Sequence, residues 1–384
     1  MSWAGYVMQP GSNFSSSKSE REFNTNGHAY LDLVRAIAAS LVLLQHASQI
    51  FEWPRQVPTG GLGVVLFFLL SGFLIFQSGC RRIKRSPPYF IPFMIDRFAR
   101  IFTVYIPALI FVAAVNACFG LSNHAQEGMA TGPIVFLGNL FLLQDYPFFQ
   151  AAANLLGGHA YHIRAYNTAE QFWTIPVEFW IYVWFGLVFF YGLIRERINR
   201  TAAILLFLIS TPVVVWHAAG GGGNGLALVW FYGALASYIW ISTLAKSSGD
   251  RRIGAFVFIM GIIFFVGRLG KVGFNFYDHG VIICLAIALF GGLSFVESMP
   301  PIPGLVRRIC NLLAAYSYSL YLVHNTVLII FRERLFNKGG AVDSLVAIGA
   351  AHFVAICFYL LFEQHYRAIG KLVKKHFLAE STVE

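Results

Sequence analysis

Arg35 and His46 place a guanidinium and an imidazole eleven positions apart in one apolar run, Tyr30 to His46. An imidazole titrates near neutral pH, so it can act as a base or a nucleophile. A guanidinium can fork two hydrogen bonds onto a phosphate or a carbonyl oxygen. Eleven positions is close to three helical turns, so both side chains leave nearly the same face, roughly 16 Å apart along the axis. Asp32 joins them at i, i+3 to Arg35 and can hold the guanidinium. A charge at bilayer depth costs at least ~2.5 kcal/mol, so such residues usually face a protein interior and act there. The bland alternatives are an interior histidine bonded to a neighbouring helix and a structural Arg35–Asp32 pair, the latter compatible with function.

Other polar residues lie in similar runs. Glu178 sits mid-run among Trp173, Phe179, Trp180 and Tyr182, and an intramembrane acid is a functional candidate by default. It could orient His46, bind a substrate, or pack two helices through a hydrogen bond. Glu170 is a weaker candidate near the end of that run. Ser317, Tyr321 and His324 recur at i, i+4 and i+7 and share a helix face. Ser317 or Ser319 as a nucleophile is the rival to histidine chemistry. No metal site is expected, because a two-histidine site lacks acid ligands at suitable spacing. Ser71 reads as a small residue permitting a tight helix contact. Cys80, Cys118, Cys284, Cys310 and Cys357 are odd in number and far apart, and read as buried, inert thiols.

These residues need elements to hold them, and the composition says which. The 384 residues are 57% hydrophobic and 12% charged, whereas a soluble domain carries about 25% charge. Runs of ~18 apolar residues mark membrane spans. They fall at about 31–50, 61–79, 98–119, 170–193, 203–218, 226–243, 253–270, 280–297, 309–331 and 343–362. The expected fold is therefore all-α: a polytopic integral membrane protein of about ten transmembrane helices.

The net charge of +10 does not point to nucleic acid, because the basic residues sit in short connections. Arg81, Arg82, Lys84 and Arg85 form one group, Arg195, Arg197 and Arg200 another, and Lys371, Lys374 and Lys375 a third. Short basic loops mark the cytoplasmic side, which puts both termini there. Arg332, Arg334 and Lys338 are the exception, on the outer side. Residues 1–27 read as a disordered cytoplasmic tail without a signal peptide. Residues 28–367 form the membrane domain with an external loop at 120–169, and 368–384 a basic cytoplasmic tail. Within the loop, Ile134–Leu143 is too short to cross and lies at the interface or re-enters. Gly220–Gly223 make an external flexible turn.

The arrangement resembles the acyltransferase 3 family of membrane O-acyltransferases, from about Tyr30 to Arg367. Leu31 to His46 matches the family's opening span, with an arginine, ten residues and a histidine. Gly63 to Ile75 is similar to its second span. Arg97 to Tyr105 resembles its third-span entry, with Val104 where a proline often stands. Phe172, Trp173, Thr174 and Glu178 resemble its Trp-Ser-Leu-x-x-Glu block, with Thr174 in place of serine. Tyr316 to His324, and then Phe362 and Glu363, match its last two spans.

The resemblance implies transfer of an acyl group, commonly acetyl, from cytoplasmic acyl-CoA to a glycan hydroxyl. The acceptor would be O-antigen, exopolysaccharide or a lipid-linked sugar. Acyl-CoA is then a donor substrate, with no bound cofactor, and the partners are the glycan and membrane lipids. The implied location is a bacterial inner membrane, and the chain reads as a stand-alone member without a fused hydrolase-like domain. His46, Arg35 and Glu178 are expected to be catalytic. Asp32, Trp173, Ser317, Tyr321 and His324 are expected to bind substrate. Arg81, Arg82, Arg97 and Arg100 are weaker candidates for the donor phosphates. Direct transfer and a covalent acyl relay both remain open. A polytopic transporter or exporter is the rival function, although no inverted repeat with broken helices is visible.

Overall fold

The structure, a computed structural model, describes residues 23–56, 58–85, 87–121, 131–156, 163–220, 225–244, 251–336 and 340–380. In apolar surroundings every backbone group must be satisfied within its own segment, so the apolar runs become helices. These are α1 (Thr25–Ile50), α2 (Gly60–Arg82), α3 (Phe90–Phe119), α4 (Pro133–Leu140), α5 (Pro147–Leu156), α6 (Thr174–Gly186) and α7 (Arg200–Ala218). They continue with α8 (Leu226–Ile239), α9 (Arg251–Val272), α10 (His279–Glu297), α11 (Gly304–Ala315), α12 (Ser317–Ile330), α13 (Ala341–Leu361) and α14 (Tyr366–Glu380). A 3-10 turn, Glu170–Trp173, opens α6, and a π-helical turn, Leu187–Leu193, extends it. Polar residues set several starts: Asn24, Asn199 and Asp278 accept backbone N–H groups from the first turns of α1, α7 and α10.

Among the described residues, eight helices are long and apolar enough to cross a membrane. The expected ninth span is broken: α11 and the segment Ser317–Leu335 meet at 53°. The sequence run 309–331 hides this break because its hydrophobicity is continuous. Ser317 donates its hydroxyl to Ala314 O at 2.8 Å, and Glu363 accepts the Ser319 N–H at 3.1 Å. An orphan first-turn N–H is thus met by a carboxylate at a helix N-terminus, which lets a new helix begin there. The expected span 226–243 is a shorter apolar helix, Leu226–Ser242. The segment expected at the interface is α4, short and with Ile134 and Leu137 exposed. Residues 1–22 of the expected tail, parts of the 120–169 loop and most of the Gly220–Gly223 turn lie outside the described residues. Residues 366–380 of the basic end are not an open tail. They form α14, fixed to α3 by Lys374 Nζ on Asp96 Oδ1 at 2.5 Å.

Polar contacts fix which helix ends share a side. At one end, Asn24 Nδ2 reaches Glu297 O (2.7 Å), Arg82 pairs with Asp96 (2.5 Å), and Glu196 accepts the backbone N–H of Tyr89 and Phe90 (2.6 and 2.9 Å). Lys374 and Glu363 belong to the same end through Asp96 and Arg100. At the other end, Arg332 Nε donates to Ile50 O (3.2 Å), and Arg334 donates to Phe119 O and to Gly120 O. The arginines that broke the charge pattern therefore cap the last carbonyls of α1 and α3, where a cation opposes the negative helix end.

The centre of the bundle is α1, α2 and α12, with Leu43, Leu69, Phe73, Leu322 and Val323 buried. α2 and α8 touch backbone to backbone: a Cβ on Gly72 would lie 1.9 Å from Trp230 O, and one on Gly233 2.1 Å from Leu69 O. Ser71, expected at a tight helix contact, bonds Tyr182 Oη (2.8 Å) and accepts from Trp230 Nε1 of α8 (3.1 Å). The cysteines are unpaired thiols, but not uniformly buried. Cys118 is exposed and only Cys310 is fully buried, because an apolar helix surface in this class faces lipid as readily as protein.

Candidate active site

A cavity of about 670 Å³ enters between α1, α2, α3, α6, α12 and the α13–α14 corner. That is the size of a pocket for a small organic ligand. Its entrance carries Arg35, Arg97, Arg100 and Arg367. Each is held differently. Arg35 Nη1 donates to Asp32 Oδ1 at 3.0 Å, as the i, i+3 spacing predicts. Arg100 Nη1 donates to Glu363 Oε1 at 2.8 Å and lies over the rings of Tyr318 and Tyr366, 5.4 and 4.8 Å from their centroids. Glu363 is 1% exposed and also takes the Ser319 hydroxyl at 2.7 Å, so Arg100 is held in the cavity wall by a fixed carboxylate and two rings. Arg97 lies 5.8 Å from the Phe93 centroid, and its buried Nε has no partner among the described residues.

The cavity is also lined by Val64, Phe67, Ser71, Thr174, Glu178 and Tyr321. Glu178 accepts the Tyr182 hydroxyl, and Tyr182 bonds Ser71, which fixes one wall. Tyr321 is pinned by its hydroxyl, 2.7 Å from Thr174 Oγ1 and 3.1 Å from Gln171 O, and its ring packs against Phe67 at 5.6 Å. One helical turn further along α12 the Tyr321 ring meets His324 at 6.2 Å, and the His324 ring meets that of His46 at 5.1 Å. The two histidines therefore lie just beyond the cavity lining at Tyr321, on the side where α1 ends.

The tautomer of His46 follows from its surroundings. Asn325 spends its amide N–H on Thr168 O (2.7 Å), so its Oδ1 faces His46 Nδ1 at 2.8 Å. An amide oxygen only accepts, so the imidazole hydrogen sits on Nδ1 and the lone pair on Nε2. His46 is thus set up as a proton acceptor. Replacing Asn325 by Ala is expected to lower activity about 10–100-fold, the usual cost of losing an orienting partner. Binding of the cavity's ligand should be retained, which a titration alongside the rate measurement checks.

The expected residues divide accordingly. Arg35, Asp32, Glu178, Tyr321, Arg97 and Arg100 share the cavity, whereas His46 and His324 form the pair beyond it. Glu178 is bonded to Tyr182, so orientation of His46 falls to Asn325. Glu170, the weaker acid candidate, is exposed on the turn before α6. Ser317 is 1% exposed and bonded to Ala314 O, so it is a helix-break residue and not part of the cavity wall. Ser319 is committed to Glu363. Trp173 lies half-buried on the turn before α6, off the cavity. Arg82 is neutralised by Asp96, and Arg81 bonds Gln77 Oε1 at 3.2 Å; neither reaches the entrance. Among the described residues no three His, Cys, Asp or Glu side chains form a metal-holding group.

Comparison with known sequences gives the family. The family model for acyltransferase 3, described as an acyltransferase domain, matches residues 28–363. The chain belongs to that family. The match takes in both histidines, the three entrance arginines other than Arg367, and Glu363 as its last position. The chain is similar to the O-acetyl transferase of Shigella phage Sf6, 27% identical over 185 residues, covering 46% of this chain and 49% of that protein. It is also similar to the O-acetyltransferase OatA of Staphylococcus aureus, 23% identical over 331 residues, covering 78% of this chain and 50% of that protein. A segment of 91 residues is 34% identical to protein 2 in the picA locus of Rhizobium radiobacter. The chain spans about half the length of these relatives. No solved structure matches it.

Sequence reasoning within the acyltransferase 3 pattern passed over Asn325 and Thr168, and read Ser71 only as a packing residue. Asn325 offered a signal, an amide inside an apolar run beside His324. Thr168 acts through a backbone carbonyl, which no side-chain pattern announces.

Proposed function

We propose that this chain is a membrane O-acetyltransferase that accepts acyl-CoA at the Arg35–Arg97–Arg100 entrance and acylates a glycan hydroxyl at His46. The observation that carries the reading is a cavity lined by several arginines whose lining residue Tyr321 touches the histidine pair. The entrance end also gathers the basic clusters, so the positive-inside rule makes it cytoplasmic, where acyl-CoA is present. The His46 end is then the outer face of a bacterial plasma membrane. O-antigen, exopolysaccharide and lipid-linked sugars are the acceptors of suitable location.

The chemistry balances with the residues in place. The acceptor hydroxyl gives its proton to His46 Nε2 as its oxygen attacks the thioester carbonyl. A C–O bond forms, the C–S bond breaks, and the CoA thiolate leaves and takes the proton back from the imidazolium. Arg35, Arg97 and Arg100 hold the donor phosphates as bidentate or point contacts. Asp32 keeps Arg35 aimed at the entrance, and Asn325 keeps the His46 lone pair on Nε2.

The test is transfer of labelled acetyl from acetyl-CoA by the purified protein in lipid vesicles. Arg35→Ala should raise KM for acetyl-CoA about 10–100-fold, a loss of ~1.4–2.7 kcal/mol of donor binding, with a smaller change in kcat. An unchanged KM would remove Arg35 from the donor site. Label retained on the protein with acetyl-CoA alone would mark a covalent acyl-histidine in place of direct transfer.

A further inference from the structure

His324 is fully buried, yet half of its imidazole has nothing to bond. Its Nδ1 lies 2.9 Å from Leu320 O, one turn back on its own helix. A carbonyl only accepts, so the hydrogen is on Nδ1 and the lone pair on Nε2. That Nε2 finds no donor among the described residues. A buried acceptor left unmet is costly, and in native proteins it usually marks an absent partner or a functional role.

His46 presents the same chemistry. Its Nδ1–H is spent on Asn325, so its Nε2 also carries a lone pair. The rings are 5.1 Å apart and tilted by 45°. Two lone pairs cannot bond each other; they need donors between them. Hydroxyls close by are already engaged: Tyr321 with Thr174 and Gln171, and Thr326 with Thr168. A metal ion bridging the pair would need a third ligand, and the described residues offer none in position.

We propose that the histidine pair recognises two adjacent hydroxyls, so that the acceptor is a vicinal diol. One hydroxyl reacts at His46, and its neighbour donates to His324 Nε2. This rests on the reading of His46 as the acceptor's base. His324 is then a specificity residue: an acceptor lacking the second hydroxyl leaves its Nε2 unmet. Sites built to bond a substrate hydroxyl reject analogues without it far more strongly than apolar sites reject an extra methylene.

The experiment compares trans-1,2-cyclohexanediol with cyclohexanol as acceptors of labelled acetyl, using the full chain in lipid vesicles with acetyl-CoA. The native protein should prefer the diol by at least about tenfold in kcat/KM, well above the twofold that counting hydroxyls gives. His324→Ala should lower transfer to the diol by a similar factor. Combining that variant with the mono-alcohol should cost little beyond either change alone, since both remove the same hydrogen bond. His324→Gln keeps an acceptor oxygen and much of the volume, so it should retain part of the preference and controls for folding. A diol preference that survives His324→Ala, or is absent in the native protein, overturns the proposal. So do equal losses with both alcohols, which a purely structural role for His324 would give. No transfer to either alcohol by protein that binds acetyl-CoA would instead overturn the reading of His46 on which it rests.

Discussion

Replacing His46 by alanine is expected to lower acetyl transfer about a thousandfold, or ~4 kcal/mol of transition-state stabilisation. The reason is specific to its surroundings. Asn325 Oδ1, at 2.8 Å, holds the Nδ1 hydrogen, so the group removed is an oriented lone pair and not simply a polar side chain. His324 also carries a lone pair on Nε2, but that lone pair is the one proposed to meet the acceptor's second hydroxyl. The acid Glu170 is exposed, on the turn before α6. The measurement is label transfer from acetyl-CoA, with acetyl-CoA affinity determined on the same preparation. Arg35, Arg97 and Arg100 are untouched by the change, so affinity should stay within about threefold while kcat collapses, the pattern of an interaction made only in the transition state. Full transfer by His46→Ala would sink the base assignment.

Gly233→Ala is expected to prevent the bundle from assembling, whatever the activity. Its Cβ would lie 2.1 Å from Leu69 O, and the reciprocal Cβ on Gly72 1.9 Å from Trp230 O. Both obstacles are backbone atoms in the middle of helices, so no side-chain rotation relieves them. The only response is to part α2 from α8, which disturbs the Ser71–Trp230 bond and the Tyr182–Glu178 wall joined to it. Overpacking of this kind costs ~3 kcal/mol or more when the backbone must move. The apparent melting temperature in detergent, and the yield of monodisperse protein, should both fall sharply. Gly267→Ala is the control: no atom lies within 4 Å of the Cβ it would add. The gain in helix propensity makes that change neutral or stabilising by up to ~1 kcal/mol. A Gly233→Ala protein as stable as the native one would mean that α2 and α8 are not in backbone contact.

The two predictions show where the sequence was legible. Arg35 and Asp32 are three residues apart on one helix, so local geometry alone pairs them, and the structure has them at 3.0 Å. His46 and His324 could each be picked out because imidazoles in apolar runs are costly, but their meeting depends on α1 packing against α12. The partner of His46 was missed for the same reason: Asn325 reaches it across 279 residues of chain. Ser71 was read as the small residue of a tight contact, yet the backbone contact is made by its neighbour Gly72. The glycine meets the α8 backbone, and the serine bonds the side chains of Tyr182 and Trp230.

By itself, then, the sequence determined the class of the protein, the segments that become helices and the polar residues that must find partners inside it. Those follow from composition and period, because a chain in lipid has few ways to satisfy its backbone. The tertiary structure alone decided which partners were found. It turned Glu178 toward Tyr182, set Asn325 on His46, and broke the apolar run near Tyr316 by placing Glu363 against the first turn of α12. Such choices depend on contacts between residues far apart in the chain, and hydrophobic pattern carries no record of which apolar face meets which.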